Sequence, residues 1–155
     1  MREKRFHRSP LQRLMGKPAT ELPHDPACWT YADGRIIVDL TRAPELSERS
    51  GAVRLESPAL PEHVLVFMGE DGRYHACRNA CAHGGRRLDP VPNTFTLQCC
   101  SVGKSTYDYD GELLSGPAHG CVHPYPVRRD GGTLVVDLAP PAASTTPLRN
   151  NVGDI

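Results

Sequence analysis

The stretch CAHGGRRLDPVPNTFTLQCCSVGKSTYDYDG (81–111) holds two cysteine-bearing loops and the segment that joins them. In the first loop Cys81 and His83 stand two apart, followed by Gly84 and Gly85. A Cys-x-His pair cannot put both side chains on one helix face, where neighbours lie three or four apart. In a turn it can aim a thiolate and an imidazole at neighbouring points. Thiolates suit iron and zinc, and imidazole suits iron, copper and zinc. Glycines directly after the histidine let backbone N–H groups approach a bound sulfur. The second loop has the vicinal pair Cys99-Cys100 and closes on Tyr107-Asp108 and Gly111, yet where a histidine is expected it carries Val102, Gly103 and Lys104. A third group follows in HGCVH, with His119, Cys121 and His123.

Around these loops the sequence reads as short strands. RIIVDL (35–40) is β-branched and follows the turn ADG, AVRLE (52–56) alternates, and TFTLQCC (94–100) alternates again. HVLVFMGEDGRYHACR (63–78), STYDYDGELLSG (105–116) and YPVRRDGGTLVVDL (125–138) each hold a hairpin turning at Asp-Gly. This predicts a small all-β antiparallel domain with its cysteines and histidines in loops, where a rigid scaffold best presents ligands. Residues 1–27 read as a flexible N-terminal arm, residues 28–138 as the domain, and residues 139–155 as a disordered tail.

The 155 residues allow one modest core, and the formal net charge is zero, so nothing points to nucleic acid or to an anionic membrane surface. No apolar run is long enough to span a bilayer. The N-terminal residues lack the apolar core of a secretory signal, which makes a cytoplasmic, thiol-reducing setting the expectation. Six cysteines in such a setting point to metal or redox work before disulfides. Cys28 and Cys77, away from the ligand-type clusters, read as small buried apolar residues. No paired carboxylates, phosphate loop or nucleophile–base set suggests a stand-alone enzyme.

CAHGGRRL resembles the first box of Rieske domains, Cys-x-His-x-Gly-x-x-Leu, with Cys81, His83, Gly85 and Leu88 in place. After sixteen residues, CSVGKSTYD is similar to the second box, Cys-x-x-His-Gly-x-x-aromatic-Asp, in Cys100, Tyr107 and Asp108. Flanking strands and the loop SGPAH extend the likeness over about residues 29–138. The resemblance implies a Rieske-like β-sandwich or barrel with cluster-binding loops. It implies a 2Fe–2S cluster with Cys81 and Cys100 on the inner iron and His83 on the outer one. The second histidine position falls on Gly103. Shifting the register by one puts Cys99 at the cysteine position and Val102 at the histidine position, which restores no ligand either.

Cys99, Cys121 and His123 are the expected contenders for the fourth place. A third thiolate there would lower the potential from the Rieske range, roughly −150 to +300 mV, toward about −400 mV. Zinc on Cys81, His83, Cys121 and His123 is an alternative, as is a metal-free interaction module. Arg86 and Arg87 beside His83 are placed to steer an acidic redox partner. The resemblance implies a ferredoxin-like one-electron carrier serving a separate reductase or oxygenase. The larger domain that holds mononuclear iron in Rieske oxygenases is missing from the sequence.

Overall fold

The computed structural model describes residues 9–82 and 84–139. The expectations placed on residues 1–8, on His83 and on tail residues 140–155 lie outside the described residues.

Twelve strands follow in chain order. They are β1 (Trp29–Ala32), β2 (Arg35–Asp39), β3 (Ala52–Leu55), β4 (Val64–Met68), β5 (Tyr74–Arg78) and β6 (Leu88–Val91). The rest are β7 (Thr96–Cys99), β8 (Thr106–Asp108), β9 (Leu113–Ser115), β10 (Pro124–Tyr125), β11 (Val127–Asp130) and β12 (Thr133–Asp137). All described pairings are antiparallel. They build three four-stranded sheets, β1-β2-β12-β11, β10-β5-β4-β3 and β6-β7-β8-β9. The all-β expectation therefore holds.

The Asp33-Gly34 dipeptide acts as its chemistry requires. Ala32 pairs with Arg35, and the two residues between them, Asp33 and Gly34, take φ of 52° and 76°. A two-residue hairpin of type I′ needs positive φ at both positions, which Asp tolerates and Gly takes freely. Strand β6 escaped sequence reading because it contains Pro90. It sits at the edge of its sheet, the place where a residue without an N–H donor is tolerated.

Strand β4 joins two cores. Val64 and Val66 face a core shared with Ile36, Val38, Leu134 and Val136 of the first sheet. Leu65 and Phe67 face a second core with Leu88, Leu97, Cys99 and Tyr107 of the third. Strand periodicity makes this possible, since successive side chains point to opposite faces. Cys28 belongs to the first core and Cys77 to the second, as expected of buried apolar residues. Burial pushes the Cys77 thiol up to about 12, so it stays protonated.

Residues 9–27, expected as a mobile arm, lie along the domain. Ser9 caps a short helix α1 (Pro10–Leu14), with Ser9 and Gln12 exchanging side-chain-to-backbone bonds. Further on, buried Asp89 accepts from the backbone N–H groups of Ala19 (3.0 Å) and Thr20 (2.8 Å). Arg54 bonds the carbonyl of Thr20 through its side chain and that of Glu21 through its backbone N–H. The arm contains no hydrophobic period because polar anchors hold it.

Leu65→Ala is expected to cost about 2–5 kcal/mol, the usual range for a fully buried leucine. Ile37→Ala, on the 37% exposed face of β2, is expected to cost well under that. Urea midpoints of the two variants check the contrast.

Candidate metal centre

The first loop is a closed turn. Cys81 N–H donates to the carbonyl of Arg86 at 2.7 Å, and Gly85 N–H returns to the carbonyl of Cys81 at 2.9 Å. Gly84 and Gly85 take φ of 84° and 70°, which supplies the curvature. The next carbonyl, that of Arg87, accepts from Cys100 N–H at 3.0 Å. The two box cysteines therefore hang on successive carbonyls, and both side chains are buried. Asn79 supports the arrangement by accepting Leu88 N–H on its Oδ1 at 2.8 Å.

Tyr107 links the second loop to the first. Its Oη accepts from Ala82 N–H at 3.2 Å and lies 3.1 Å from Cys81 Sγ. The hydroxyl and the Cys81 thiol share this hydrogen bond, in which either group can donate. Burial first, and the Cys81 contact second, hold the phenol above its ordinary range, so it stays a donor. Glu56 fixes the arginine next to this turn. Its Oε1 accepts from Arg87 Nε at 2.6 Å and from Arg54 Nη1 at 3.1 Å. Burial alone would raise the Glu56 carboxyl. The Arg87 hydrogen bond with the charges of Arg54, Arg87 and His63 outweighs it and brings the carboxyl below its ordinary value.

Lys104 takes φ 51°, the left-handed conformation, whereas Gly103 is not among the glycines with positive φ. Lys104 stands where the Cys100 register puts the box glycine. Cys99 faces the other way. It packs in the second core among Leu65, Leu88 and Leu97, with its sulfur 3.1 Å from Ser101 Oγ. Strand alternation at the end of β7 separates the vicinal pair, and Cys99 lies in the second core together with Cys81 and Tyr107.

At the missing-histidine position the space is filled. A Cβ on Gly103 would fall 2.7 Å from Pro117 Cγ. The loop carrying Pro117 is pinned by Ala118 N–H on Ser105 Oγ (3.2 Å) and by Val122 N–H on the carbonyl of Gly111 (2.8 Å). Between the pins, His119 and Cys121 are exposed. The Cβ of Ala82 lies 3.6 Å from where a Cβ on Gly120 would stand, so this loop abuts the first one. His123 is also exposed, with its ring edge-on to Tyr125 at 5.2 Å. Among the described residues, no three of His, Cys, Asp and Glu form a group able to hold one metal ion.

These donors fit half of a 2Fe–2S cluster. Two buried thiols with a hydroxyl beside one of them suit a sulfur-rich guest. The imidazole half is one donor short, and Pro117 stands against Gly103, where the second histidine falls in the Cys100 register. Sequence reasoning missed the roles of Asn79 and Pro117. Nothing local marks them, since each acts across a long loop.

Residues 38–126 match the Rieske [2Fe-2S] domain family. Over 92 residues the chain is 35% identical to the glycine betaine monooxygenase oxygenase subunit of Chromohalobacter salexigens, covering 51% of this chain and 20% of that one. It is 34% identical over 91 residues to the protein of the same name from Pseudomonas aeruginosa, covering 51% and 21%. The chain thus spans about a fifth of the length of these curated relatives. In fold it is similar to the ferredoxin of carbazole 1,9a-dioxygenase from Nocardioides aromaticivorans. That likeness has a TM-score of 0.51 at 18% identity and covers 61% of this chain and 93% of that one. The Sphingomonas yanoikuyae B1 ferredoxin gives a TM-score of 0.50 at 21% identity, covering 58% and 87%. Among the described residues no helix is long and apolar enough to cross a membrane.

Gly103→Ala is expected to destabilise the protein by about 1–3 kcal/mol through overpacking against Pro117. Adding Pro117→Ala is expected to recover part of that loss, a non-additivity that thermal unfolding of the three variants measures. The contribution of Glu56 is present at neutral pH and is expected to fade as pH falls below the ordinary glutamate value of about 4.3. Glu56→Gln should flatten that acid limb in denaturant titrations at stepped pH.

Proposed function

The chain belongs to the Rieske [2Fe-2S] domain family, and from that membership we propose that it carries one electron to or from a separate oxidoreductase, a reductase or an oxygenase. The observation that carries the reading is the suspension of Cys81 and Cys100 from the successive carbonyls of Arg86 and Arg87. The family binds a 2Fe–2S cluster, and such a cluster, when bound, accepts and releases a single electron. Cys81 and Cys100 would hold its inner iron, and His83 one place on the outer iron.

The chain's own residues tune that site. The Tyr107 hydroxyl beside Cys81 Sγ stabilises added negative charge on the sulfur, which raises a potential. Leu65, Phe67, Leu88 and Leu97 form a dry wall behind it. Arg86 and Arg87 follow directly on the first loop and put positive charge where an acidic partner would dock. Of the contenders for the fourth place, Cys99 packs in the second core, which also holds Cys81. Cys121 follows Gly120, the residue set against Ala82 of the first loop, and is our candidate ahead of His123.

The filled space at Gly103 favours a second reading, a zinc-binding or cluster-free interaction module. Metal analysis separates the two. Protein purified without oxygen is expected to be brown and to contain about two iron and two acid-labile sulfide per chain. A folded protein holding neither would sink the electron-carrier reading, and zinc in their place would establish the second. In the brown protein, Cys121→Ser is expected to bleach the visible absorbance, while His123→Ala leaves it in place.

A further inference from the structure

The segment Ser9–Gly16 lies over the second loop. Cys100 Sγ donates to the carbonyl of Gly16 at 3.2 Å. Arg13 reaches the carbonyl of Ser101 through Nη1 (3.5 Å) and Gln98 Oε1 through Nη2 (3.3 Å). Arg86 Nη1 donates to the carbonyl of Leu14 at 3.4 Å. These bonds are long, and they tie the segment to both cysteine loops at once.

Helix α1 docks with its polarity inverted. Arg13 is buried, while Leu11, Leu14 and Met15 are 64%, 66% and 59% exposed. A five-residue helix is not stable alone, so contact with the domain must hold it. That contact lacks the apolar burial that usually makes docking firm. Farther along, Asp89 grips Ala19 and Thr20 at 2.8–3.0 Å. Between the weak and the firm attachment lie Gly16, at φ 67°, and Pro18. This is the layout of a strap with a fixed root and a releasable end.

The bond to Gly16 also has the wrong polarity for a ligating sulfur. A carbonyl accepts a hydrogen bond. A sulfur bonded to a metal has given its proton to solvent and itself needs donors.

We propose that residues 9–16 are a strap that covers the Cys100 sulfur and swings away, about a hinge at Gly16–Pro18, when that sulfur bonds to an incoming atom. The release on cluster loading rests on the electron-carrier reading, whereas the covering does not.

Two measurements on the full chain test it. In reduced, metal-free protein, iodoacetamide is expected to alkylate Cys100 about tenfold faster in Arg13→Ala than in the parent, equivalent to about 1.4 kcal/mol of strap docking. Fragmentation of the peptide separates Cys100 from Cys99, and an unchanged rate at core Cys77 shows that the variant is folded. Should Arg13→Ala unfold, Arg86→Ala, which removes only the bond to Leu14, takes its place. Equal Cys100 rates in a folded variant would overturn the strap.

The second measurement is trypsin cleavage after Arg13, before and after reconstitution with ferrous iron and sulfide. Cleavage is expected to be about tenfold faster in the loaded protein. Unchanged protection in protein whose absorbance shows a cluster would overturn the release. Failure of parent and variant alike to take up iron would sink the electron-carrier reading and the release together, leaving alkylation of Cys100 to decide the covering.

Discussion

The backbone of Arg86 and Arg87 is the constraint on which the site depends. Its two carbonyls take the N–H groups of Cys81 and Cys100, residues far apart in sequence, and so bring two loops to one place. Backbone bonds of this kind are insensitive to side-chain change, which lets the surrounding residues vary while the thiols keep their relation. The Arg87 side chain adds a second function by anchoring to Glu56, so that the turn is held from outside as well as within.

Behind the loops, β4 makes a single body of the two cores. A strand buried on both faces cannot shift its register without exposing one valine or leucine row or the other, and each such side chain is worth about 1.5–3 kcal/mol. The third sheet is thereby fixed against the second, and the loops that spring from β5 and β7 inherit that fixity. The same packing directs Cys99 inward and leaves Cys100 for the loop.

The second loop shows how a motif can keep its backbone and change its chemistry. Lys104 holds a left-handed φ at a motif glycine position, at a cost of about 1 kcal/mol or more for a residue with a Cβ. Beside it, Gly103 has no side chain and Pro117 closes over it. A bulky residue could not return to position 103 without movement of the proline loop. The strap over Cys100 continues the same theme, since both thiol loops are covered by segments that come from elsewhere in the chain.

Much of this was legible in the sequence because it is local. Alternation in 35–40, 52–56 and 94–100, with Asp-Gly at the hairpins, specifies strands and turns through side-chain period and φ preference alone. The pairing of Cys81 with Cys100 rested on the resemblance to the two Rieske boxes. Strands β6 and β10 were hidden, one by Pro90 and the other by its two-residue length. What the sequence by itself determined was the β-domain and its pair of cysteine loops. Only tertiary structure decided which of Cys99 and Cys100 faces the loop, that Pro117 fills the place beside Gly103, and that residues 9–16 lie on Cys100. Each of these is a contact between segments distant in the chain, governed by packing and stray hydrogen-bond partners, for which no local pattern of residues exists.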